Sequence, residues 1–256
     1  MHSTGFTVMF AAAVCFVCAI FVSGSAVLLA DRQETNKVLD RQQKVLDVAG
    51  LLDSGPTTPD QIVELYKSNI RPVVIDLASG EPLPDVDPAN FDQAAEMADP
   101  ATSKEAPPND AKVRRIPNRA VVFQVVENDD VMSYIIPVEG KGLWSTLYGY
   151  LALDSDGQTI KGITFYQHGE TPGLGGEIDN PRWKALWDGR KAYGPDGEPK
   201  VAVIKGQAGT PEESPFAVDG LSGATLTSRG VTYLVQFWLG DHGFGPYLHQ
   251  QARQES

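Results

Sequence analysis

The feature that most limits what this chain can become is an unbroken run without charge, Phe6 to Ala30 (FTVMFAAAVCFVCAIFVSGSAVLLA). About 20 apolar residues cross the hydrocarbon core of a bilayer as a helix, so the run is long enough to span. It exceeds the roughly 7 to 15 apolar residues of a secretory signal, and no Lys or Arg precedes it. Residues 1–30 therefore read as a membrane anchor. Sidedness stays open on the residues alone. Arg32, Lys37, Arg41 and Lys44 follow the span, which by the positive-inside rule would leave the remainder in the cytoplasm, but Asp31, Glu34, Asp40 and Asp47 are interleaved with them.

Both cysteines, Cys15 and Cys18, lie within the apolar run. Their C-x-x-C spacing is half of a metal or iron-sulfur site, and small buried hydrophobes account for them as well. With a formal net charge of -12 and no basic stripe, the chain is not built to bind nucleic acid.

Beyond the anchor, Val38, Leu39, Val45, Leu46 and Val48 recur at helical spacing among charges, so a helix continues to about Gly50. Thr58 or Asp60 is placed to cap a second helix, and Pro72–Leu77 reads as a strand. Residues 88–118 are rich in Pro, Ala, Asp and Glu and suggest an irregular surface insertion. From Arg119 the segments AVVFQVV, SYIIPVEG, LYGYLALD, IKGITFYQ and KVAVIKG read as strands, and a last helix begins between Thr225 and Ser228 and ends at Gly240. The expected fold is of the α+β class: a transmembrane helix, a helical connector and irregular part over 31–118, and a β-sheet domain with flanking helices over 119–256.

The chain has no G-x-S-x-G elbow, phosphate loop or H-E-x-x-H motif, and no catalytic or metal-binding constellation stands out. Three other segments can carry chemistry. The loop FYQHGETPGLGGEI sets His168, Glu170 and Thr171 beside Leu174 among Gly173 and Gly175. In EGKGLWSTLYG, glycines flank Leu143 and Trp144. The third, AVDGLSGATLTSRGV, gathers Asp219, Ser222, Gly223, Ala224 and Thr225 just before a helix. A helix N-terminus offers unpaired N–H groups and the positive end of the helix dipole, so a phosphate is favoured there. A plain N-cap explains one of these hydroxyls but not the cluster.

The segment Asp219–Thr225 (DGLSGAT) resembles the flavinylation motif of the FMN-binding domain family, whose last threonine carries FMN through its phosphate. The order of the anchor, NKVLDRQQKVLDVAGL, GKGLW, HGETPGLGGEI and SGATLTSRGV is similar to the branch of that family formed by C subunits of sodium-translocating NADH:quinone oxidoreductases. The G subunits of Rnf complexes share ETPGLG and SGAT and are the nearest alternative.

The resemblance implies covalent FMN on Thr225, attached by a separate flavin transferase that recognises Asp219. It implies an electron relay in a complex that oxidises NADH, reduces ubiquinone and pumps sodium. Electrons would pass from an iron-sulfur centre in neighbouring membrane subunits to a flavin in the large membrane subunit, and this chain would not turn over by itself. The soluble domain would face the periplasm from a single pass of the bacterial inner membrane. Leu143, Trp144, Thr171, Leu174 and Lys205 are expected around the isoalloxazine, with Lys205 able to stabilise a reduced anionic flavin. A non-redox binding module anchored in the membrane, and a flavin reductase with diffusible substrates, are the readings from other classes.

Overall fold

The structure is a computed structural model that describes residues 3–52 and 57–254. The chain forms two compact units, Met1–Arg41 and Gln42–Ser256. The first is the N-terminal part of helix α1 (Thr4–Val48), in which Thr4–Ala30 has a mean hydropathy of 2.5 and no buried residue. At about 1.5 Å per residue this stretch exceeds the roughly 30 Å hydrocarbon core of a bilayer.

The second unit contains the end of α1, then α2 (Pro59–Asn69), β1 (Ile70–Asp76), α3 (Gln93–Ala98), β2 (Ser103–Glu105) and β3 (Arg115–Pro117). It continues with β4 (Arg119–Glu127), β5 (Asp130–Lys141), β6 (Thr146–Asp154), β7 (Ile160–Gln167), α4 (Pro181–Lys184), β8 (Ala202–Val203), β9 (Ala217–Val218), α5 (Thr225–Leu239) and α6 (Gly245–Gln254). Of the two expected caps, Thr58 serves: it makes a capping box with Gln61 at the start of α2.

One antiparallel sheet in the order β1-β4-β5-β6-β7 organises this unit. Alternate residues of β5 and β6, Ile136, Val138, Leu147 and Leu151, face a core shared with Val231, Leu234, Val235 and Trp238 of α5. The 3.6-residue repeat of α5 supplies that apolar stripe. α5 lies so close to β5 that a Cβ on Gly230 would stand 2.4 Å from the Lys141 carbonyl oxygen, so only glycine fits there. Trp238 Nε1 donates to the Glu139 carbonyl (2.8 Å). These contacts set the N-terminus of α5 beside the loop that joins β5 to β6.

The opposite face of the sheet has its own buried layer, with Val74, Val125, Ile135 and Ala152 below the surface together with Ile62 of α2 and Val45, Leu46 and Val48 of α1. Asp47 Oδ2 pairs with Lys184 Nζ (2.8 Å) and accepts from Thr164 Oγ1 (3.4 Å), which ties the end of α1 to β7 and α4.

Four expectations change. β1 pairs with β4 along its whole length, so residue 118 does not divide the fold. The 88–118 segment is ordered, not irregular: Asp92 caps α3, β2 pairs with β3, and Ala111, Val113 and Ile116 are buried in the core. Sparse apolar residues suffice there because Arg119 pairs with Glu96 and Arg115 with Ser103. KVAVIKG yields only the two residues of β8, parallel to β9, with the Val203 N–H on the opposite edge taken by Thr232 Oγ1 (2.9 Å). Helix α6 lies in a stretch that reads as polar, and Phe244, Tyr247 and Leu248 bury it against the core.

Arg190 is fully buried, and its guanidinium donates to the carbonyls of Leu186, Gly209, Thr210 and Ser214 (2.7–3.1 Å). Arg190→Met should cost about 3 kcal/mol by orphaning these acceptors, read as a lower melting temperature. Burial pushes the Glu139 carboxyl up to about 7. The folded state thus holds this proton more tightly than the unfolded chain, and stability is lost as pH rises from the ordinary glutamate range towards 7. Glu139→Gln should raise the melting temperature at pH 8 by several degrees and leave it unchanged at pH 4.

Candidate functional site

Three stretches meet at the N-terminus of α5: the β5–β6 loop, the loop after β7 and the segment Asp219–Thr225. Glu170 joins them. Its Oε1 accepts from the Trp144 N–H (2.9 Å) and the Ser145 N–H (3.3 Å). Its Oε2 accepts from Thr227 Oγ1 (2.6 Å) and the Leu143 N–H (3.3 Å). The side chain is 5 % exposed. Burial works against its charge, yet the hydroxyl of Thr227 and the three backbone amides outweigh burial and hold the carboxyl below the usual glutamate range. All four acceptor positions are used, so Glu170 holds the three stretches together.

Gly175 lies against this group, where a Cβ would come within 2.5 Å of Thr227 Oγ1 and 2.7 Å of Glu170 Oε2. His168 stays within its loop: Nε2 lies 2.8 Å from Asp179 Oδ2, and Nδ1 accepts from the Glu170 N–H (3.2 Å).

Thr225 is the first residue of α5 and is exposed. The N-cap position holds Ala224, no side chain caps this helix, and its first turn contains no acid. A long helix with an uncapped start suits an anion. Gly223 before it has φ of 70°, the left-handed region that glycine adopts without strain, and faces Leu174. Leu143, Trp144 and Leu174 are exposed, Trp144 at 66 %, as is Thr171. A ring could lie against these apolar surfaces.

On its other side Thr225 borders an open groove of about 690 Å³, lined by Ile204, Lys205, Gly206, Gln207, Asp219, Ser222, Gly223, Ser228 and Arg229. Asp219 is anchored here: Oδ1 accepts from the Ala208 N–H (2.8 Å), and its carbonyl accepts from Trp183 Nε1 (2.9 Å). Ser228 Oγ accepts from the Leu221 N–H (3.2 Å).

Of the residues expected from sequence, Lys205, Asp219, Ser222 and Gly223 line the groove with Thr225, Leu174 lies against Gly223, and Leu143, Trp144 and Thr171 are on the two loops that Glu170 ties together. Sequence reasoning missed Thr227 and Arg229. For Arg229 a signal existed, since it lies four residues beyond Thr225 and so on the same helix face. For Thr227 the signal is absent, because its partner is 57 residues away.

Glu170→Gln keeps the shape but replaces an acceptor with a donor facing N–H groups. It should cost about 2 kcal/mol at neutral pH. Because the folded-state value of the carboxyl is lowered, the wild type's advantage is complete above about pH 5 and shrinks as acid protonates it. Melting curves of the two proteins between pH 3 and 7 should therefore converge at the acid end.

The family profile of the FMN-binding domain matches residues 142–240, the span that holds every part of this site. The chain is 47 % identical over 238 residues to the C subunit of the Na(+)-translocating NADH-quinone reductase of Vibrio parahaemolyticus, covering 91 % of this chain and 89 % of that one. It is 43 % identical over 258 residues to the C subunit of the same reductase from Pseudomonas aeruginosa, covering 100 % and 98 %. The crystal structure of Shewanella oneidensis NqrC superimposes with a TM-score of 0.76 at 34 % identity, over 85 % of this chain and 97 % of that one. Identity at this level across nine tenths of both chains places the protein in the family of C subunits of the Na(+)-translocating NADH-quinone reductases.

Proposed function

We propose that this chain is the electron-carrying C subunit of a sodium-translocating NADH-quinone reductase, with FMN joined through its phosphate to the hydroxyl of Thr225. The observation that carries the reading is the position of Thr225: exposed, first in an uncapped fifteen-residue helix, and between a polar groove and an exposed apolar rim. Flavin, when bound, supplies one-electron and two-electron redox chemistry. The residues of this chain hold and orient it. The start of α5 faces the phosphate, Leu143, Trp144 and Leu174 offer surfaces for the ring, Lys205 places a positive charge in the groove, and Glu170 keeps the loops in register.

Among the described residues no side chain hydrogen-bonds the Thr225 hydroxyl, so none of them is placed to activate it as a base. Attachment is accordingly assigned to a separate flavin transferase. Asp219, which lines the groove, is the residue of the motif best placed to meet that enzyme. The apolar helix Thr4–Ala30 supports a single membrane pass, and the likeness to C subunits is the ground on which we assign the chain to the bacterial inner membrane with the flavin domain on the periplasmic side. The other subunits of the complex, among them the large flavin-carrying subunit and the iron-sulfur membrane subunits, are the electron partners, and turnover belongs to the assembled complex. Relatedness along the whole chain to C subunits favours this assignment over a G-type subunit of an Rnf complex.

Co-expression with a flavin transferase, followed by intact mass and visible absorption after denaturation, tests the reading. The wild type should gain one flavin mass and stay yellow, and Thr225→Val should gain none. A colourless, unmodified wild type under conditions that modify a control protein would leave a membrane-anchored binding module as the better account.

A further inference from the structure

Arg229 is a cation at this site to which neither the fold nor the ring contacts give a task. It is exposed on α5, one turn beyond Thr225, and borders the same groove. Among the described residues, neither Arg229 nor Lys205 forms an ion pair or a side-chain hydrogen bond. Some cations elsewhere have partners, as Arg119 has Glu96, Lys184 has Asp47 and Lys191 has Asp156, so what sets Arg229 and Lys205 apart is that both line the groove beside Thr225. The chain carries 33 acids against 21 bases, so acids to balance two cations in one groove were available. The one acid lining this groove, Asp219, already gives Oδ1 to the Ala208 N–H (2.8 Å). A solvated surface arginine is the simpler account of its exposure, but that account leaves unexplained why two cations share one groove with the exposed hydroxyl at the helix start.

We propose that Arg229 is a positioning residue, the counterion of the phosphoester carried by Thr225. This rests on the reading that Thr225 bears FMN. A phosphodiester keeps one negative charge throughout the physiological pH range. A guanidinium is always charged, and its planar fork matches two phosphate oxygens at once, which a lysine ammonium does not. Residues i and i+4 lie on one helix face, so the pair needs no rearrangement of α5. Arg229 therefore restrains the ester link and limits how far the attached flavin swings out of the groove. Lys205, across the groove, is left to act on the ring.

The test uses the full chain in detergent, produced with and without the flavin transferase, as wild type, Arg229→Gln, Arg229→Lys and, as a control cation on α6, Arg253→Gln. Three quantities are read: flavin mass, the melting temperature of loaded minus unloaded protein, and the 31P chemical shift of the ester. The proposal expects Arg229→Gln to carry the same flavin mass as wild type, to lose at least half of the melting increment gained on loading, and to shift the phosphorus resonance. Arg229→Lys should recover part of the increment, and Arg253→Gln should match wild type. A loaded Arg229→Gln with the wild-type increment and resonance overturns this inference alone. A wild type that takes up no flavin overturns the reading of Thr225 and this inference with it.

Discussion

The buried carboxylate of Glu170 is the constraint on which the site depends. It reaches the amides of residues 143–145 and the hydroxyl of Thr227, groups that are 25 to 57 residues from it in sequence. A buried charge is costly unless its lone pairs are all used, and here four donors use them. That requirement fixes relative positions: the β5–β6 loop, the loop after β7 and the first turn of α5 cannot shift independently without orphaning an ionised oxygen. Gly175 is part of the same requirement, since any side chain there would strike the carboxylate or its partner hydroxyl.

The sheet gives this junction its rigidity. Helix α5 is seated on β5 by the close approach of Gly230 and by the bond from Trp238 to the Glu139 carbonyl. Its apolar stripe fills one face of the sheet, while α2 and the last turns of α1 fill the other. The position of Thr225 is thus inherited from a helix that cannot slide, and its exposure from being the first residue of that helix. Buried Arg190 holds the chain from Gly209 to Ser214. Trp183 and Ala208 then hold Asp219, so the attachment loop is fixed at its start by groups outside the motif.

Much of this is legible in the sequence because it is encoded locally. The uncharged run, the Thr58 cap, the alternation in β4 to β7 and the start of the last long helix at Thr225 each depend on residues within a turn or two of one another. What the sequence does not disclose depends on contacts between distant segments. α6 reads as polar because few of its residues are apolar, and its anchors find distant partners: Tyr247 on Gln124 and Tyr134 of the sheet, and Phe244, just before the helix, on Trp238 of α5. The 88–118 segment lacks long apolar runs, yet the ion pair Arg119–Glu96 and the buried Ile116 order it. Glu170 looks like a ligand-facing acid in a glycine-rich loop, and only the fold brings Thr227 to it.

The distribution of apolar surface separates what stabilises the domain from what the domain is for. Leu143, Trp144, Leu174 and Leu226 are exposed around Thr225, although burying a large apolar side chain is worth about 1.5 to 3 kcal/mol. They are held outward by a backbone whose position is set by buried polar bonds, so the fold forgoes that stabilisation at the place where its chain is best determined. An exposed apolar rim on a rigid frame is a surface kept for something else to cover. On the reading proposed above, that covering would be divided between the cofactor ring and the partner that must approach it. The sheet and α5 then supply stability, while the rim and groove remain free to set what binds.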